Sequence, residues 1–122
     1  MIWAAVALAG ALGSTLRLLT LEIGKRIAGG HSPWTAWVLN CSGCFALGVV
    51  LGLSIEQGLS PDVVAVIGSG LIGSYTIVSP LTYDSLVIGI QGSWSKAFIH
   101  SVGAILACIT SASIGLLICG AL

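Results

Sequence analysis

The stretch GSGLIGSYTIVSP, Gly68 to Pro80, decides how this chain can fold. It contains Gly68-x-Gly70-x-x-Gly73, a spacing that in a soluble protein cradles a dinucleotide between a strand and a helix. That fingerprint needs a preceding strand and an acidic residue about 20 positions further on. Here the glycines sit inside a charge-free run, residues 63–83. Open strands cannot exist in hydrocarbon, because their edge groups would find no partners. The dinucleotide reading is excluded, and the stretch reads as a transmembrane helix that breaks.

The break has a local cause. Gly70 and Gly73 weaken the helix, and Pro80 has no N–H to offer the carbonyl of Thr76. A lipid-buried carbonyl without a partner costs several kcal/mol, so another partner is required. The residues alone leave two solutions open. One is a proline kink repaired by water or a hydroxyl, the other a cation seated at an unwound helix.

The chain has 122 residues, 57% of them hydrophobic and 7% charged. Soluble domains carry about a quarter charged residues, so this chain could not cover itself with polar surface in water. The charges fall at Arg17, Glu22, Lys25, Arg26, Glu56, Asp62, Asp84 and Lys96, leaving charge-free runs over 1–16, 27–55, 63–83 and 97–122. About 20 apolar residues cross the hydrocarbon layer. Four transmembrane helices are expected, near 1–22, 33–55, 62–90 and 96–121. The fold class is therefore an all-α integral membrane protein, one four-helix domain over 1–122 with its third helix broken near the middle. It belongs in a lipid bilayer, as a multi-pass protein of the cell membrane. The first segment lacks a basic n-region and its apolar run continues past Arg17 to Leu21, so it reads as a retained helix rather than a cleaved signal. The formal net charge is zero and there is no basic patch, so no nucleic-acid partner is expected.

Four helices leave little interior, which favours a small substrate or an oligomer. Seventeen glycines agree, because small residues let helices approach closely in lipid. Gly48-Val-Val-Leu-Gly52 is a G-x-x-x-G in the second helix, and Gly10-Ala-Leu-Gly13 is a tighter pair in the first; Gly48 is assigned to helix packing. Cys41-Ser-Gly-Cys44 lies mid-membrane without a second pair or a nearby histidine, and Cys108 and Cys119 stand alone, so all four read as small, buried, unreactive residues. Arg17 and Asn40 are costly inside a membrane and are by default functional candidates, although Arg17 could snorkel to the interface. Asp84 and His100 are weaker candidates of the same kind. Trp34 and Trp94 read as interfacial anchors.

Together these residues resemble the Fluc (CrcB) family of fluoride channels. The first helix carries Gly10-x-x-Gly13-x-x-x-Arg17, similar to that family's G-x-x-G-A-x-x-R. The second carries Asn40-x-x-Gly43-x-Phe45-x-x-Gly48, similar to N-x-x-G-S-F-x-x-G with Cys44 in place of the serine. The third carries Gly70-x-x-Gly73-x-x-Thr76-x-x-Ser79, which fits G-x-x-G-G-F-T-T-F-S-T-F. The resemblance spans all four helices in order. It implies an antiparallel dimer, two narrow fluoride pathways, and a structural sodium ion held by the backbone carbonyls of Gly73 and Thr76. It implies that Asn40 lines the anion path with Ser79 beside it. It also implies passive export of fluoride trapped in the cytoplasm.

The departures matter as much. The family's two phenylalanines stand as Val78 and Leu81 here, and two of its threonines as Ile77 and Pro80. A ring edge carries partial positive charge and can face an anion; an aliphatic side chain cannot. In the last helix His100 falls at the family's pore tyrosine, and Ala104 and Cys108 fall at its serines. The pore-lining positions are thus losing anion-binding groups while the scaffold and sodium positions persist. The leading reading is a channel subunit with a degenerate pore of its own and a second, complementary subunit of the same family. A small multidrug-type transporter needs a glutamate embedded in its first helix, and this chain has no acidic residue before Arg17. An assembly protein without transport activity is the third reading. No serine–histidine–acid set or facing carboxylate pair is present, so no enzyme is expected.

Charge also sets orientation. Arg17, Lys25 and Arg26 lie towards the first loop and Lys96 at the third, whereas the second loop region has only Glu56 and Asp62. Basic residues favour the cytoplasmic side and acidic ones matter little. All four basic residues therefore favour one topology, with both termini outside. An antiparallel homodimer needs a chain that inserts both ways, so the expected partner is a different subunit of opposite orientation. Cysteine-accessibility labelling in intact cells should modify either terminus from the outside only. Equal labelling from both faces, with a stable dimer from this chain alone, would defeat the expectation.

Overall fold

Each apolar run becomes a helix, and the glycines and prolines between them mark where each one stops and starts. The computed structural model describes residues 1–30, 32–76 and 79–120. Among these, four stretches are long and apolar enough to cross a membrane: Ile2–Ala28, Pro33–Gln57, Pro61–Ile90 and Trp94–Ile118. Helix α1 is Ile2–Ala28 and α2 is Pro33–Gln57. The third span begins with α3, Pro61–Val64, continues as a π-helix over Ala65–Ile72, and ends its first half in the short α4, Gly73–Tyr75. Its second half is α5, Ser79–Ile90, and the fourth span is α6, Trp94–Ile118. The chain is a multi-pass membrane protein.

Serine-proline pairs start two of the helices. Ser32 and Ser60 have extended backbones, and Pro33 and Pro61 take the first helical positions, where the missing N–H would have had no partner anyway. The Ser60 hydroxyl accepts the Val63 N–H at 3.4 Å. The end of α1 corrects the sequence expectation. The helix runs past position 22 to Ala28, because charge marks where a helix leaves the lipid rather than where it stops. It stops where Gly29 turns left-handed (φ 72°) and the Gly30 N–H closes on the Lys25 carbonyl at 2.9 Å. An exposed Arg26–Glu22 pair at 3.4 Å decorates this last turn and contributes little.

Packing is by small residues. α2 lies chiefly along α6, α1 along the π-helical segment, and α5 along α6. A Cβ placed on Gly48 would collide with the carbonyl of Ala112 on α6, and Gly115 faces the carbonyl of Phe45 in return. The assignment of Gly48 to helix packing places it against this chain's own α6. The glycines of the third span also correct the sequence expectation. Gly70 and Gly73 are not at the break; both lie within helical backbone. Gly70 instead lets the span approach α1, since a Cβ there would sit 2.9 Å from the Val6 carbonyl.

The buried apolar set is short and mostly small: Ala9, Ala36, Leu39, Ile72, Leu81, Ala97 and Ala104. Large side chains such as Leu12, Leu19, Ile99 and Ile105 are exposed on the single chain, as expected when lipid or another subunit is the neighbour. Overpacking a tight contact costs about 1–3 kcal/mol. Gly48→Val should therefore lower the melting temperature of the protein in detergent, whereas Val38→Leu, on an outward-facing side chain 64% exposed, should leave it unchanged. Equal behaviour of the two variants would remove the α2–α6 contact as a determinant of stability.

Candidate functional site

The third span is interrupted at Thr76, whose backbone is extended (φ −85°, ψ 128°) between α4 and α5. Its N–H and its hydroxyl both bond the Ile72 carbonyl, each at 3.0 Å. Gly43 of α2 backs directly onto the Thr76 methyl, with no space for a Cβ. The interruption is therefore gripped from α2 as well as from its own first half. Pro80 plays a different part from the one expected. It is the second residue of α5, a first-turn position whose N–H would be unpartnered in any case. The proline thus starts a new helix, and the extended backbone of Thr76 carries its carbonyl off the helical course.

Arg17 reaches this interruption. Its Nη1 lies 3.5 Å from the Ser74 carbonyl, and its side chain is half-buried. The carbonyl end of a helix carries partial negative charge, and a cation there contributes about 0.3–1 kcal/mol, more when partly buried. Of the two sequence readings, pointing inward rather than snorkelling outward is the one the geometry favours.

Six of the residues singled out in the sequence meet around one cavity of about 290 Å³: Asn40, Cys44, Thr76, Leu81, Ala104 and Cys108. Asn40, Leu81 and Ala104 are buried. Val78 lies outside the described residues, as does the side chain of Ser79. Gly73 is exposed on the single chain, one turn before Thr76. The cysteines are all free thiols but half-buried rather than buried, which corrects the sequence expectation. Cys119 lies apart, donating to the Val49 carbonyl at 3.6 Å. Among the described residues, no group of three or more His, Cys, Asp or Glu is placed to hold a metal. Backbone oxygens are another donor type, and they suit a hard cation.

His100 is not in that cavity. It sits one turn before Ala104 and faces a wider vestibule of about 600 Å³, lined also by Trp37, Gln91, Ser93 and Lys96. Trp37 Nε1 lies 2.9 Å from His100 Nε2. An indole N–H can only donate, so Nε2 accepts and the ring proton is on Nδ1. Nδ1 then donates to Ser85 Oγ at 3.0 Å. Ser85 spends its own proton on the Leu81 carbonyl at 3.0 Å and accepts a second bond from Ser101 at 2.8 Å. Buried Asp84 is the neighbour of Ser85 on α5.

Sequence reasoning missed Trp37, Ser85 and Ser101. A signal was present, because Trp37–Asn40 and Leu81–Ser85 are each one helical turn apart and so share a face. It also missed Tyr75, whose hydroxyl is 3.4 Å from Ser42 Oγ.

These features define a small four-span membrane protein whose third span is interrupted beside a narrow, partly polar cavity. Residues 4–116 match the family described as CrcB-like protein, Camphor Resistance (CrcB), and the chain belongs to that family. It is 33% identical over 112 residues to the fluoride-specific ion channel FluC 1 of Leifsonia xyli subsp. xyli, covering 92% of this chain and 82% of that protein. It is also 33% identical over 117 residues to a fluoride-specific ion channel FluC of Thermus thermophilus, covering 96% of this chain and 94% of that protein. A FluC of Shewanella loihica is 33% identical over 93 residues, covering 76% of this chain and 75% of its own length.

Proposed function

We propose that this chain is a subunit of a passive, fluoride-selective channel that releases cytoplasmic fluoride across the membrane. The observation that carries the reading is the meeting of Asn40, Thr76, Leu81 and Ala104 around one cavity beside the helix interruption, in a chain whose relatives are named fluoride-specific channels. A fluoride ion leaving water must exchange its hydration shell for donors on the wall. Asn40 supplies an amide to this wall, whereas Leu81 and Ala104 supply only carbon. The thiols of Cys44 and Cys108 are weak donors. Lys96 at the vestibule concentrates anions at the entrance by its charge. The wall is underfurnished, and a second subunit of opposite orientation would bring the missing donors.

A hydrogen bond to a charged group is worth about 1.5–3 kcal/mol, so one missing donor slows passage by about ten- to a hundredfold if the loss falls on the barrier. Fluoride efflux from liposomes holding the purified chain alone should be at least that much slower than from liposomes holding a family member with its phenylalanines intact. Adding the complementary subunit should restore it. Equal rates from the single chain would refute the degenerate pore, and no fluoride flux with any partner would refute the channel.

The backbone oxygens of Gly73 and Thr76 fit a structural sodium ion. The chain is already turned out of the helix at Thr76, and Gly73 is open to a neighbouring subunit. Two oxygens are too few to replace a cation's hydration, so an opposed subunit would contribute the others. A bound ion stabilises the folded state by mass action. Melting of the assembled protein should shift upward in sodium relative to N-methylglucamine. The same melting temperature in both salts, or a high-resolution structure in sodium without an ion at these oxygens, would exclude the site.

A further inference from the structure

We propose that Trp37 and His100 form a latent halide site that opens by taking up a proton together with the anion. The inference rests on the fluoride reading above but does not follow from it. In the neutral state the pair satisfies itself, since the Trp37 N–H is spent on His100 Nε2 at 2.9 Å and the ring's own proton on Ser85 Oγ at 3.0 Å. Neither residue then has a donor for an anion.

Protonation changes this at one atom. A proton on Nε2 puts two N–H groups head to head, and the Trp37–His100 bond is lost. The Nδ1 side stays anchored, because Ser85 gives its own proton to the Leu81 carbonyl and so remains an acceptor. The opposed N–H groups now both lack an acceptor. An anion placed between them restores two bonds, each about 2.7–2.9 Å long for charge-assisted pairs. The nitrogens must move apart to admit it. Cavities of about 210 and 600 Å³ flank the pair and provide the space. Proton and anion enter together, no covalent bond forms or breaks apart from the N–H bond on Nε2, and the charge of the site is unchanged. That balance matters in a membrane, where burying an anion alone is costly.

The ionisable groups on the packed elements do not all act in one direction. On α6, Lys96 is one turn before His100 and lines the same vestibule, drawing anions towards the pair. On α5, Asp84 is buried beside Ser85, where a carboxylate would favour the proton on the ring and oppose the anion. On α2, the nearest ionisable group is the thiol of Cys41, one turn beyond Trp37. The pair also stands at a junction: Ala104, one turn further along α6, and Leu81, whose carbonyl anchors Ser85, both line the 290 Å³ cavity. A small, strongly accepting halide such as fluoride needs the least separation of the two nitrogens, so the site discriminates against chloride.

The test is titration with sodium fluoride, read by tryptophan fluorescence, of the chain in lipid nanodiscs with whatever subunit co-purifies. It is repeated between pH 5.5 and 8.5, the range across which an imidazole changes charge. Coupled uptake of one proton makes binding about tenfold weaker for each pH unit once the free ring is neutral. Sodium chloride should compete at least tenfold more weakly than fluoride. His100→Gln, which cannot take the proton, should flatten the pH profile, and Trp37→Phe should weaken binding at pH 5.5 while leaving the slope. A fluoride affinity independent of pH in the unmodified protein overturns the proposal without need of any variant, as does a slope retained in His100→Gln. If affinity is flat with pH while liposomes still release fluoride, the channel stands and the latent site falls. If neither binding nor efflux occurs at any pH, both fall.

Discussion

A peptide carbonyl in hydrocarbon must have a partner, and the interruption at Thr76 is where this chain meets that constraint most severely. A continuous helix would satisfy every group internally. This span instead turns extended for at least one residue inside the membrane, and its surroundings are arranged around the consequences. The Ile72 carbonyl takes two bonds from Thr76. The Ser74 carbonyl faces the guanidinium of Arg17. Gly43 allows α2 to close over the Thr76 side chain. Each contact comes from a different part of the chain, so the interruption is determined by tertiary structure and not by Pro80 alone.

The same economy explains the cavity. Helices that meet through glycine and alanine leave little space between their backbones, and what space remains lies where a larger residue holds them apart. Along α2 and α6 the tight contacts are at Gly48, Gly52 and Gly115, towards one end of the pair. The open groove and vestibule are towards the other, where Trp37 and His100 stand between the helices. The polar network therefore occupies the wider end. Its members satisfy one another almost completely, which is what a low-dielectric setting demands of any polar cluster.

Much of this was legible in the sequence. Charge-free runs gave four spans, because lipid tolerates so few charges that their spacing outlines the helices. The break was legible because glycine and proline crowd one segment of the third run. What failed was its mechanism, since a proline reads the same whether it ends one helix or begins the next. The grouping of Asn40, Leu81 and Ala104 around one cavity could not have been read from periodicity. Arg17 and Ser74 are 57 positions apart, and Trp37 and His100 are 63. Pairings at such distances leave no local trace: a shared face makes Trp37 a candidate, but nothing local names it as the partner of His100.

The distribution of polar groups along the groove is uneven. At the vestibule end an indole, an imidazole and two serines bond one another; beyond them come Asn40, then leucine, alanine and thiols. An anion entering from the vestibule would first meet polar groups that must give up a partner to bind it, and then mostly carbon. The proposed subunit of opposite orientation would reverse that order, setting its polar end beside this chain's carbon-lined end, whereas one in the same orientation would repeat it. Solvation thus supports the proposed pairing on grounds separate from the charge bias, which bears only on which way this chain inserts.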